Sequence, residues 1–425
     1  MPNSKFASVG GKILIALSIL FGIAGSVGFY NHSRFQSRVA QLRDEGQLVS
    51  FEDFKHQVAN PEDDALTYLK QVIVSAKEMS EAIPRDELGG EKTDLESIAL
   101  FQSLSAKHPE LFKNISRSAQ AADMTVQFDE DEQLGVMDFV KIGNVLSWKG
   151  QVLVAQGETA AAATVAWELL ELAEKIDRPF VLNALLGNSF RARAVRVLGD
   201  VLASGEVDAA IVEKINFNLD GIDFNGKYVE SLKAERSIMI YYMINPQAVT
   251  DQSIGRFEWV SGSLRGGAVA LSGNSYLDEM ELVIERCQAP PSTQYVKEEL
   301  ESELGWTLSS FSANPAAYCI NLRKPIGRVT AQCRAIRIAL ALQSIHNADL
   351  DASFSVEDLV ELGVPEEMAL DPFTDQVMVV ARVEGHWKVY SVGPDKNDDG
   401  GTLDSDDLGV MPRLADEIDS DELDD

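Results

Sequence analysis

From Gln36 to about His346 apolar positions recur at helical spacing, with few stretches of strand-like alternation. Leu66, Leu69, Val72, Ile73 and Ala76 share one helical face, behind an acidic first turn at Asp63 and Asp64. Pro84 and the pair Gly89 and Gly90 interrupt the pattern, and a second helical run covers Leu95 to Leu104. Pro109 punctuates the next stretch, and Asp129 to Glu132 reads as a solvated, charged connection. An internal echo follows: VLVAQGETAAA from Val152 is matched by VLASGEVDAA from Val201. Each copy predicts an amphipathic helix closed by a glycine (Gly157, Gly205) in a left-handed cap, then an alanine-rich helix.

Ser261 to Asn274 is rich in glycine and serine and predicts a mobile connection. It lacks the Lys-Ser/Thr of a P-loop and any dinucleotide fingerprint. Pro290, Pro291 and Pro325 read as further breaks, with a last long helix from Val329 to about His346.

After Asn347 the pattern changes. Phe354 to Gly363 predicts a short helix with Ser355 as N-cap and Asp358 at its third position. Asp371 to Thr374 predicts a turn. Val377 to Val383 and His386 to Val392 predict two strands joined by a tight hairpin at Glu384 and Gly385.

At the other end, Ile13 to Tyr30 is apolar and uncharged, just long enough to span a bilayer as a helix. Lys5 and Lys12 precede it, and Asp44 is the first acidic residue. The expectation is a single-pass anchor with the chain beyond it exported; a cleaved signal peptide is the competing reading. Ser18, Gly22 and Ser26 make one face of this helix small, which allows a homodimer by helix pairing.

Composition narrows the function classes. The 425 residues carry 67 Asp and Glu against 37 Lys and Arg, a formal charge of -30. That balance repels nucleic acid and favours divalent cations. Three cysteines, Cys287, Cys319 and Cys333, exclude a disulfide framework and a four-cysteine zinc site within one chain. The five histidines, His32, His56, His108, His346 and His386, form no HExxH or similar pair, and no GxSxG elbow occurs. Glu235 beside Arg236, and Glu298 beside Glu299, read as structural or surface charge. No catalytic residue and no organic cofactor site is assigned.

One motif does carry chemistry. Asp395, Asn397, Asp399, Gly400 and Asp406 occupy positions 1, 3, 5, 6 and 12 of a D-x-N-x-D-G loop. Alternate oxygen side chains at that spacing turn inward around a hard cation, and the glycine permits the bend, so calcium is expected. Asp406 is shorter than the usual glutamate, and Asp404 or Asp407 can substitute for it. The competing reading is a disordered acidic lead-in to the tail.

Two resemblances bear on these segments. Trp148, Gly150, Gly157, Ala160 and Ala161 make Trp148 to Ile176 resemble one tetratricopeptide-type hairpin. Asp371-Pro372-Phe373, then Tyr390-Ser391-Val392-Gly393 and the acidic glycine loop, resemble the carboxy-terminal part of the major pseudopilin of type II secretion systems. The same module is similar to tails fused to large exported planctomycete proteins of unassigned role. The pseudopilin resemblance covers about Val329 to Val410 and implies a structural calcium ion in the loop. The chain departs from that family at Gly10, Gly11 and Lys12, where a pseudopilin has a leader cut before an aromatic residue, and in having no acidic residue within the apolar run, where a pseudopilin has a glutamate. The module therefore reads as borrowed.

The expected fold class is mainly α, a helical-hairpin body with a small α+β C-terminal module and one N-terminal transmembrane helix. The expected segments are 1–12 (cytoplasmic), 13–30 (anchor), 36–328 (body), 329–410 (pseudopilin-like module) and 411–425 (acidic, disordered). The expected role is that of a non-enzymatic, membrane-anchored envelope protein whose body binds other proteins, with its C-terminal part outside the cytoplasm. The alternatives are an envelope hydrolase with a dispersed active site and a component of a type II secretion or pilus-like assembly.

Overall fold

The computed structural model describes residues 29–54, 56–83, 93–126, 134–177, 179–205, 207–244, 262–290, 292–293, 321–343, 345, 354–383, 386–401 and 406–410. Ile13 to Gly28 of the apolar run, Asp129 to Glu132, Glu298, Glu299, Cys319, His346, Asp404 and the tail 411–425 lie outside them. Among the described residues no helix is long and apolar enough to cross a membrane.

The protein is mostly helical with one small antiparallel sheet. In chain order the helices are α1 (29–44), α2 (Ala65–Ala82), α3 (Leu95–Lys107), α4 (Leu111–Gln120), α5 (Val136–Ala155), α6 (Thr159–Ile176) and α7 (Val181–Ser204). Then come α8 (Ala209–Asp220), α9 (Phe224–Ile244), α10 (Gly262–Gln288), α11 (Arg323–Leu342), α12 (Val356–Glu361) and α13 (Glu366–Ala369). The strands are β1 (Val379–Val383), β2 (His386–Ser391) and β3 (Leu408–Val410), in the order β1-β2-β3. The chain forms two compact units. One contains 1–54, 232–287 and 295–321; the other contains 55–231, 288–294 and 322–425.

In the larger unit, local chemistry starts the helices. The Asp64 carboxylate accepts from the Leu66 amide at 3.0 Å to cap α2, and Asp94 accepts from the Ser97 amide at 2.7 Å to cap α3. At the end of α5, Gly157 adopts φ +79° and the chain folds back into α6. Helices α5, α6 and α7 pack on one another, and α7 also packs on α11. Trp148 of α5, 1% exposed, anchors this core: its indole N–H donates to Ser97 Oγ at 3.0 Å. Its ring meets Phe101 edge-on at 5.1 Å. A buried ion pair joins α7 to the end of α6, Arg191 to Asp177 at 2.8 Å. Glu174 and Lys227 extend it, and the Arg191 guanidinium lies 5.6 Å from the Phe224 ring. Burial pushes the Asp177 carboxyl up, and the Arg191 and Lys227 charges pull it back down.

Gly205 departs from its expected left-handed cap. Its φ is 162°, extended backbone open to any residue, and α7 ends with the Gly205 amide donating to the Val201 carbonyl at 3.0 Å. The two echoed segments therefore end their helices differently.

In the smaller unit, Phe35, Val39, Leu42, Val49, Ile240 and Leu277 form the core. Here the expectation of a mobile connection over Ser261 to Asn274 is overturned, because α10 runs unbroken from Gly262 to Gln288. At Gly273 the missing side chain serves close approach. A Cβ on Gly273 would sit 2.9 Å from the Phe35 ring and 3.0 Å from the Met243 sulfur. Next to it the Asn274 amide donates to the Asn31 carbonyl at 3.0 Å, and Arg38 donates to the Asn274 carbonyl at 3.0 Å. Leu277, Met280, Val283, Ile284 and Cys287 continue a buried helical stripe.

A second correction concerns Pro325, which breaks nothing. It lies in the first turn of α11, where its missing N–H has no intrahelical partner to lose, so the helix starts at Arg323. Cys287 and Cys333 are buried, and burial pushes the Cys333 thiol up to about 12.

Candidate metal loop

The loop 393–407 hangs from a short framework that the local sequence builds well. Ser355 and Asp358 form a reciprocal capping box at the start of α12. The Ser355 amide and hydroxyl both donate to Asp358 Oδ2 at 2.8 Å, and these bonds hold the Asp358 carboxyl below the usual range. Strands β1 and β2 pair from Val379 with Tyr390 to Val383 with His386, leaving a two-residue connection. β2 then pairs with β3, Ser391 opposite Leu408. The sheet lies on α11, where Phe373, Ala331 and Leu408 share a small core.

Asp371 ties the turn to the sheet. Only 2% exposed, it accepts from the Phe373 amide at 2.7 Å with one oxygen and from the Val392 amide at 2.9 Å with the other. The chain leaves β2 at Gly393, φ +72°, where an added Cβ would collide with the Asp406 carbonyl. That contact closes the two ends of the loop on each other.

Within the loop the expected ligands take separate places. Asp395 and Asn397 are exposed and bond each other: the Asn397 backbone amide donates to Asp395 Oδ1 at 3.2 Å and its side-chain amide to Oδ2 at 3.1 Å. Asp406 pairs with Arg328 of α11 at 2.7 Å. Asp399 is brought to Asp407, whose Oδ2 accepts from the Asp399 amide at 3.1 Å and the Gly401 amide at 2.6 Å. Asp404 lies outside the described residues. Among the described residues no group of three His, Cys, Asp or Glu side chains is gathered to hold a metal ion.

The electrostatics centre on Asp407. It is 5% exposed, and burial raises its carboxyl above the usual range. Asp398 and Asp399 raise it further by repulsion, while the amides of Gly401 and Asp399 oppose them. Tyr390 belongs to the same cluster. Its hydroxyl donates to Asp398 Oδ1 at 3.0 Å, and burial first, then that bond, raises the phenol. The side chains near Asp407 are carboxylates, the donor type that hard cations prefer, but among the described residues they stand in separate pairs and not as one ligand group. Asp398 was missed by sequence reasoning, where its only signal was the doubled Asp398-Asp399, while Asp371 and Tyr390 entered only as part of the pseudopilin resemblance, with no role in the loop.

Elsewhere two histidines have carboxylate partners. His56 meets Asp123 at 2.8 Å on the surface, and His108 meets Glu78 at 3.3 Å. His386 begins β2 exposed, beside Trp387, whose indole donates to the Leu342 carbonyl at 3.1 Å. Arg236 is buried and donates to Gln47. No known protein family, no curated protein and no solved structure matches the chain.

Proposed function

We propose that the chain is a membrane-anchored, exported, non-enzymatic envelope protein. Ile13 to Tyr30 anchors it, its helical hairpins bind other proteins, and a structural calcium ion stabilises its pseudopilin-like C-terminal module. The observation that carries the calcium reading is the buried Asp407 carboxylate facing the like charges of Asp398 and Asp399. A divalent cation relieves that repulsion, and an ion held only by the folded state stabilises it. Asp399 and Asp407, which the loop brings together, would be its first ligands, and Asp395, Asn397, Asp404 and Asp406 would have to close in as further oxygen donors. The ion supplies charge neutralisation and cross-links the loop ends; it takes part in no reaction.

The binding role rests on composition and architecture: an acidic chain and stacked helices. Membrane fractionation followed by chemical cross-linking tests it. The chain should stay in the membrane fraction through a high-salt wash, with protease removing everything beyond Asp44 from the outer face. Cross-linking should capture discrete protein partners. Release by salt of a mature chain starting near Tyr30 would contradict the anchor. Turnover of an ester, peptide or glycoside substrate by the pure protein would favour the hydrolase alternative.

A further inference from the structure

Between α5 and α7 the larger unit leaves a cavity of about 350 Å³ where helix packing would otherwise close the gap. Its lining follows two helical stripes. Asn144, Ser147 and Gln151 come from α5, and Ser189, Arg193 and Arg196 from α7. Residues three or four apart share a helix face, so each stripe is one continuous polar edge of the cavity. Val140, Ile83 and Ala192 supply apolar wall. Ser147 and Gln151 are buried, 7% and 6% exposed.

Arg193 is the group this arrangement leaves uncompensated. It donates through Nη1 to the Ser189 carbonyl at 2.9 Å and to the Ser189 hydroxyl, and through Nη2 to Asn144 Oδ1 at 2.6 Å. Every one of these acceptors is neutral, and among the described residues no carboxylate pairs with it. A guanidinium has five N–H donors, so Nε–H and one Nη2–H remain after these three bonds. Burial lowers its pKa to about 10, and the like charge of Arg196 adds to that effect. This in a chain with 67 acidic residues, where surface cations readily find partners. The second cavity, beside α11, differs in this respect, because its Arg334 faces Asp371, Glu367 and Asp375.

We propose that the α5–α7 cavity binds a small organic oxyanion, its head on the free N–H edge of Arg193 and its apolar body against Val140 and Ile83. Carboxylates and phosphate esters both match a planar pair of guanidinium donors. The volume suits a small metabolite and excludes a folded partner. The overall negative charge repels anions from the rest of the surface, so saturable binding of one has to come from a local basic site.

Isothermal titration of the full-length protein in detergent tests this with butyrate, glycerol 3-phosphate, inorganic phosphate and, as a neutral control, 1-butanol. One or more of the organic anions should saturate a single site per chain, and 1-butanol should not. The preferred anion distinguishes carboxylate from phosphate ester. Arg193→Gln should weaken binding about tenfold or more. Ala192→Leu, which fills the cavity and keeps the guanidinium, should do the same and decides the matter if Arg193→Gln fails to fold. Arg382→Gln, on exposed β1, should leave binding unchanged. The proposal is overturned if no anion saturates across the millimolar range, if 1-butanol binds equally well, or if binding survives Ala192→Leu.

Discussion

Gly157 and Gly205 were equivalent in the sequence, and the backbone separates them. With φ +79°, Gly157 sits where a Cβ is penalised, so Gly157→Val should destabilise the larger unit by about 1 kcal/mol or more. Gly205→Val carries no such left-handed penalty, and urea unfolding of both variants should show the difference. Equal losses would contradict the assigned conformations. Asp407 makes a pH prediction. Its folded carboxyl binds a proton more tightly than the unfolded one, so its stabilising contribution is complete below the unfolded value. That contribution is lost as pH rises through the raised folded value. In chelator, melting temperature should therefore fall with rising pH above about pH 4, and Asp407→Asn should flatten part of that slope. An unchanged slope in the variant would remove Asp407 from the account. Residue-scale features were legible where partners are close in sequence. Ser355 read correctly as an N-cap, with Asp358 at the third helical position, because the bonds between them span only three residues. Asp371 did not, since its second partner, the Val392 amide, lies 21 residues away.

Elements were legible by their period and misread by their composition. The alternation in β1 and β2 located both strands, and helical spacing located α2 and α3. β3 went unseen because three residues carry too little alternation, and its stability comes from pairing with β2. Glycine and serine in α10 were read as flexibility, yet at Gly273 the missing side chain admits the Phe35 ring. Gly273→Leu should therefore unfold the smaller unit's core, while Gly273→Ala should cost less, its single carbon needing only small shifts. Hydrogen exchange over residues 29–49 and 273–287 would report it. Full protection in Gly273→Leu would contradict the close packing. The candidate site was half legible for the same reason. The spacing of acidic residues marked the loop, but which of them meet depends on Gly393 closing against Asp406 and on Tyr390 drawing in Asp398.

For the whole molecule, the proposal is an exported acidic chain whose C-terminal module a calcium ion would hold closed. Helix dominates the described residues and a three-stranded sheet completes the larger unit. A chain with a formal charge of -30 attracts divalent ions weakly everywhere, and a specific site has to stand out from that background. Differential scanning calorimetry of the full-length protein in calcium and in chelator, with magnesium at equal ionic strength as control, tests the central claim most directly. Calcium should raise the melting temperature of the larger unit beyond magnesium, and Asp399→Ala with Asp407→Ala should abolish that rise. Superimposable calcium and chelator curves, or a calcium shift that survives both replacements, would contradict the account.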